Sequence, residues 1–273
     1  MQTSPREILI SLQKQHRSML LLSMVLFLTA LFALVSRWTI AAPLIALSCV
    51  FYLVINRLSR RRYTEAFTHA LIVYSLPEPF IPISYAASQS ADNLLWKRGL
   101  IPGISCVPGA KQHHLLRGQL KDAHFSISEI AFVRKANRSM SSIAGTLVTA
   151  DRVLSSQDSW VILLRDPFAG FCSTEEYVGF EPVAHRDTWP DGEYTVLRQI
   201  ESRAEALDVC LPLLLEYSDA HPVAMAAQNG SLTLFVRNLF YAPAKADPSK
   251  PVNTETLKGL CFPGLALIKH LVS

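Results

Sequence analysis

Cysteine is scarce and never paired. Five occur in 273 residues, at Cys49, Cys106, Cys172, Cys210 and Cys261, and no C-x-x-C is among them. That excludes a zinc ribbon and a thioredoxin-like motif, and the dispersal fits buried thiols in a reducing compartment. No P-loop and no G-x-G-x-x-G is present, so nucleotide use has no support. Charge is sparse, at 18% of residues against 50% hydrophobic, and glycine numbers only 11. Such a composition excludes a disordered chain and a collagen-like repeat. Acid is nearly missing from residues 1–62, which hold eight basic residues and one acidic one, Glu7. The remainder holds 18 basic and 21 acidic residues, a net of −3, which argues against a nucleic-acid partner.

What is present is apolar length. Residues 19–35 form an uncharged run of 17 and residues 38–55 one of 18, separated by Ser36-Arg37. A helix needs about 17–25 apolar residues to cross a hydrocarbon core of about 30 Å. The pattern predicts a two-helix transmembrane hairpin. Arg6, Lys14 and Arg17 precede it and Arg57, Arg60, Arg61 and Arg62 follow it, against Arg37 alone in the turn. The positive-inside rule then keeps both termini cytoplasmic, in a bacterial inner membrane. Arg57, Arg60, Arg61, Arg62 and Trp38 are the expected membrane-interface residues, with membrane lipid as a partner. No small-x-small site follows the first run and a second run comes at once, which argues against a cleaved signal. Ser23, Ala30, Ala33, Ala41, Ala42 and Ala46 are small enough for close helix contact.

The sequence divides into a tail and hairpin over 1–62 and a cytoplasmic domain over 63–273. Residues 63–76 continue as a helix and stop before Pro77-Glu78-Pro79, and a proline-rich extended stretch runs to Pro82. Period-two runs over 115–120, 124–128, 130–133, 143–148 and 160–164 predict an antiparallel meander. Residues 165–192 read mostly as loop and 194–199 as a strand. Residues 201–216 predict a helix, with Pro212 as an objection. Residues 223–228 and 231–236 flank Asn229-Gly230, the pair a type I′ turn prefers. A last helix is expected within 253–272. The class is α+β, an antiparallel sheet with flanking helices.

Three stretches carry a family resemblance. They are Gly118 to Phe132 with its Ser128-Glu129 pair, Ile143 to Arg152 with Ala150-Asp151 after a glycine-centred strand, and Leu215 to Val236 with its Tyr217-Ser218-Asp219 turn. With the hairpin, this layout resembles the bacterial "protein of unknown function 3137" family. The resemblance implies a membrane hairpin joined to a cytoplasmic α+β region and implies no activity.

Three groups invite chemistry. His113, His114, His124 and Asp122 lie on strands that pair if the meander is right, but adjacent histidines point to opposite strand faces, and solvated strand ends are the expected reading. Ser218, Asp219 and His221 lack a nucleophile elbow and read as a turn before Pro222. Glu175, Glu176, Glu181 and Asp187 read as a solvated acidic loop. The same loop carries Phe168, Phe171, Tyr177 and Phe180, a candidate docking surface. The expectation is a non-catalytic membrane-anchored protein. Its cytoplasmic domain docks on, or helps assemble, a larger complex with another membrane or membrane-associated protein, without metal or cofactor. A membrane-bound hydrolase or ligand sensor using the His/Asp or Glu groups is the alternative.

Overall fold

The structure, a computed structural model, describes residues 4–36, 39, 41–90, 111–136, 139–164, 179–192, 194–216, 222–237, 246–250, 252, 257, 262 and 264–272. The chain forms two compact units. One comprises Met1–Ser75 with Pro243–Leu260, the other Leu76–Ala242 with Cys261–Ser273. The second helix runs unbroken past the arginines to Ser75.

In the first unit, helix α1 (Pro5–Val35) packs against helix α2 (Ala41–Ser75). Helix α1 begins earlier than the apolar run. Ser4 Oγ accepts from the Glu7 amide at 3.3 Å and the Glu7 carboxylate accepts from the Ser4 amide at 3.1 Å, a capping box with Pro5 at the first helical position. Residues read as a tail are therefore helical. Leu9, His16, Ser23 and Ala30 are buried at intervals of seven, the seam spacing of two helices winding left-handedly around each other. Along the apolar runs the seam is small, with Ser23, Ala30 and Ala33 on α1 and Ala41 and Ser48 on α2. Ala42 and Ala46 face outward, and Ser48 takes the place expected of them. Ser23 Oγ donates to the Met19 carbonyl at 2.8 Å and Ser48 Oγ to the Leu44 carbonyl at 2.7 Å, so neither hydroxyl is left unpaired. Both helices are long and apolar enough to cross a membrane.

The described residues of the second unit form a nine-stranded sheet. Its strands are β1 (Ile81–Ser90), β2 (Lys111–Leu120), β3 (Ala123–Ala136), β4 (Ser139–Asp151), β5 (Ser159–Leu164), β6 (Phe180–Pro182), β7 (Tyr194–Gln199), β8 (Pro222–Gln228) and β9 (Ser231–Val236). Helix α3 (Leu207–Glu216) precedes β8, and helix α4 (Leu265–Val272) follows β9. Every pairing is antiparallel, in the order β1-β2-β3-β4-β9-β8-β5-β7-β6. The α+β class is as expected. The meander β1–β4 continues not into β5 but into the late hairpin β8–β9, which wedges between β4 and β5.

The central strands are buried on both faces. Trp160, Ile162, Met225 and Phe235 are the large core side chains there. Asn229 and Gly230 take φ of 53° and 80°, the two left-handed positions the turn requires. Gly145 lies where β4 meets β9. A Cβ there would sit 2.3 Å from the Val236 carbonyl oxygen and 2.7 Å from Phe235 Cζ.

Several expected boundaries move. Strand β1 replaces the extended stretch that was expected to end at Pro82. It is an edge strand whose register shifts between Pro82 and Ser84, the kind of place a sheet accepts proline. The segments 124–128 and 130–133 are one strand, β3. The helix expected from Glu201 starts at Leu207, because Glu201 and Ala204 adopt φ of 82° and 52°. Pro212 lies within α3 and removes one backbone donor without ending the helix. The short strand β6 lies within the expected loop. Of the last helix, the described part is Leu265–Val272.

Candidate functional site

Arg57, Arg60, Arg61 and Arg62 lie on α2 just beyond the second apolar run, and all four are exposed. Arg61 Nε donates to Glu65 Oε1 at 3.0 Å one turn on, an exposed pair of small energetic weight. Trp38 lies outside the described residues. Inside the hairpin at this level the seam turns polar. Gln13 Nε2 donates to Tyr63 Oη at 3.2 Å and also to the Lys250 carbonyl, and His16 Nδ1 lies 2.7 Å from Ser59 Oγ. Gln13, His16 and Tyr63 are all buried. Asn56 Oδ1 is buried there with no hydrogen-bond partner among the described residues.

Residues 246–250 close this layer. Asp247 Oδ1 accepts from the Ser249 amide at 3.0 Å and from Ser249 Oγ at 2.6 Å, and the Lys250 amide donates to the Asp247 carbonyl at 3.1 Å. The turn so fixed offers its carbonyls to α1, with Arg17 donating to that of Ser249 at 3.5 Å. The Ser249 hydrogen bonds hold the Asp247 carboxyl below its ordinary pKa. Burial holds the His16 imidazole below its own, and the Arg60 guanidinium adds to that shift. Burial raises the Tyr63 phenol. Among the described residues the layer brings together amide, imidazole, phenol and hydroxyl groups with backbone carbonyls. It is suited to binding polypeptide to helix.

The second unit carries another polar cluster, at β6, β7 and the start of α3. Phe180 is half-buried on β6. Glu181 Oε1 accepts from Arg198 Nε at 2.8 Å and Nη2 at 2.7 Å across the β6–β7 pair, so this acid is engaged rather than loosely solvated. Asp208 accepts from Trp189 Nε1 and from Arg186 Nη1, both at 2.6 Å, while the Arg186 guanidinium lies 5.2 Å from the Trp189 ring centre. Tyr194 Oη donates to the Pro190 carbonyl at 2.8 Å and lies 3.1 Å from His185 Nδ1. Phe168, Phe171, Tyr177, Glu175 and Glu176 lie outside the described residues, as do Ser218, Asp219 and His221.

The histidines of the meander do not converge. Register puts His113 opposite Glu129, and His124 opposite Gln119 and Asp151. His114 occupies a bulge at φ 52°, stacked on Tyr85 with its Nδ1 2.8 Å from the tyrosine hydroxyl. Burial is the main cause that holds its pKa down at about 4, with His113 adding to it. Among the described residues no three His, Cys, Asp or Glu side chains gather around a point. Cys210 is buried, and its thiol is pushed up to about 12 by burial and by Asp158, which makes it inert.

The sequence reading missed Gln13, His16, Ser59 and Tyr63. Their signal was the interval of seven from Leu9 to Ala30, which runs through His16 and out of the apolar run.

No family model matches this chain, and no curated protein matches it. Among solved structures, the crystal structure of the mycobacterial trehalose monomycolate transport factor A, TtfA, is similar with a TM-score of 0.33 and 11% identity, over 63% of this chain and 82% of that one. At that similarity neither fold nor function transfers.

Proposed function

We propose that this protein is a non-catalytic membrane anchor and docking subunit. The hairpin α1–α2 spans a bacterial inner membrane with both termini cytoplasmic, and the sheet unit docks on or helps assemble a larger membrane-associated complex. One observation carries the reading. The apolar windows of the two helices are only 17% and 11% buried, so their side chains turn outward rather than into a core. Leu21, Phe32 and Leu53 are each exposed by more than three-fifths. A soluble protein rarely displays apolar surface on that scale, whereas lipid covers it at no cost. The arginines beyond the apolar runs support the orientation. The resemblance to the bacterial "protein of unknown function 3137" family belongs to the same proposal and adds architecture only.

The test is purification from native membranes in mild detergent, with crosslinking and mass spectrometry. A stoichiometric partner crosslinked to residues 165–192 or to the hairpin is the expected result. A monodisperse protein without a partner overturns the docking role, and release by alkaline carbonate overturns the anchor.

A further inference from the structure

On one flank of the hairpin, Leu12, Gln15 and Met19 of α1 face Ile55, Leu58 and Arg62 of α2 around a pocket of about 100 Å³, with Ser59 also contributing to its wall. Met19 opens the first apolar run and Ile55 closes the second, so the pocket lies where apolar helix surface gives way to charge. Its chemistry is divided in the same way. Leu12, Met19, Ile55 and Leu58 are apolar, while Gln15 and Arg62 are the lining residues whose side chains carry N–H donors. Among the described residues Arg62 has no carboxylate partner, whereas its neighbour Arg61 is engaged by Glu65. Glu7, the single acid of residues 1–62, is held in the Ser4 cap. The two acids of the hairpin helices, Glu7 and Glu65, are thus both engaged elsewhere. The polar layer stiffens the wall from behind, since Ser59 is held by His16.

We infer that this pocket binds the headgroup of an anionic phospholipid. The phosphate pairs with the Arg62 guanidinium, whose planar fork donates to two oxygens at once, and Gln15 donates beside it. The first acyl methylenes lie against Leu12, Met19, Ile55 and Leu58. A zwitterionic lipid fits the apolar wall but brings a cationic group toward Arg62, so the site discriminates by charge as well as by shape. Arg57, Arg60 and Arg61 do not line the pocket and supply only general attraction to a negative surface. The inference rests on the hairpin crossing a membrane as proposed above.

The full-length chain, reconstituted in nanodiscs of phosphatidylcholine with a minor fraction of phosphatidylglycerol, is released in native mass spectrometry and its retained lipid read. Wild type is expected to keep phosphatidylglycerol preferentially. Arg62→Ala removes the guanidinium and Leu58→Trp fills the pocket without changing charge, and each is expected to lower retention by about tenfold. Arg57→Ala removes the same charge outside the pocket and is expected to stay within about twofold of wild type. Met19→Trp fills the pocket from the opposite wall if Leu58→Trp fails to integrate. Equal losses from Arg57→Ala and Arg62→Ala, with the tryptophan variants silent, mean surface attraction only and overturn the site. Carbonate extraction in parallel separates the two readings. A wild-type chain that resists extraction yet shows no lipid preference overturns the pocket alone, and a chain that is extracted overturns the anchor.

Discussion

Replacing Gly145 with alanine tests the junction between the meander and the late hairpin. The added Cβ would lie 2.3 Å from the Val236 carbonyl oxygen and 2.7 and 2.8 Å from two ring atoms of Phe235. It falls short of the 3.4 Å of ordinary contact with that oxygen by about 1 Å. The oxygen belongs to β9, and the Phe235 ring is buried at 2% exposure, so neither can give way without disturbing the pairing of Thr146 with Val236. Overpacking of this kind costs about 1–3 kcal/mol, and the involvement of backbone puts this case in the upper half. At about 2–4 °C per kcal/mol for a unit of this size, the melting temperature falls by about 5–10 °C. The assay is thermal unfolding of the full chain in detergent, followed by tryptophan fluorescence. Gly179→Ala is the comparator. Among the described residues nothing lies within 4 Å of its added Cβ, so the strain of φ +86° is what is tested, about 1 kcal/mol. The steric reasoning is refuted if Gly145→Ala melts no lower than Gly179→Ala.

Other expectations concern single contacts. Asp208→Ala strips the acceptor from the buried Trp189 and is expected to cost about 1.5–2 kcal/mol in denaturant titration; Asp208→Asn keeps an acceptor and costs less than about 1 kcal/mol. If the two cost the same, the half-exposed pair with Arg186 matters more than its exposure allows. The depressed His114 pKa makes stability pH-dependent with a definite sign. The unfolded state binds the proton first, so the contribution is complete above about pH 6.5 and is lost as pH falls toward about 4. His114→Asn tolerates the left-handed backbone and should flatten that part of a pH–stability profile, by about 1–2 kcal/mol once partial exposure is allowed for. An unchanged slope assigns the effect elsewhere. Gly230→Ala, at φ +80° and 3.2 Å from the Leu154 carbonyl oxygen, should lower stability by about 1–2 kcal/mol, and a neutral result in the same titration would mean that the turn relaxes to another type.

Local signals survived into the fold and non-local ones did not. Uncharged length produced α1 and α2, alternation produced the meander, and Asn229-Gly230 produced its hairpin because two adjacent left-handed residues have few other uses. Strand β1 was hidden by Pro82 and by Ile81 and Ile83, which are mostly exposed and so show no buried face. The true start of α3 depended on two non-glycine residues at positive φ, which no periodicity announces. Sheet order was beyond reach, since β4 and β9 pair across some eighty residues. The arginines of the candidate interface were legible as a run of charge. The layer behind them was not, because Gln13 meets Lys250 across 237 positions.

The late position of β8 and β9 gives the chain a particular history on the ribosome. The meander is complete at Asp151, yet the edge of β4 has no neighbour until Leu232–Val236 have been made. An unpaired edge held open that long is where a nascent sheet joins the wrong strand. The helical hairpin waits longer still, because the turn at Asp247–Lys250 that accepts from Gln13 is translated after the whole sheet. Synthesis halted between the two would leave a finished sheet and a hairpin whose Gln13 and Arg17 still lack their carbonyl acceptors on that turn. Residues translated after the sheet are thus ones on which the first helix depends.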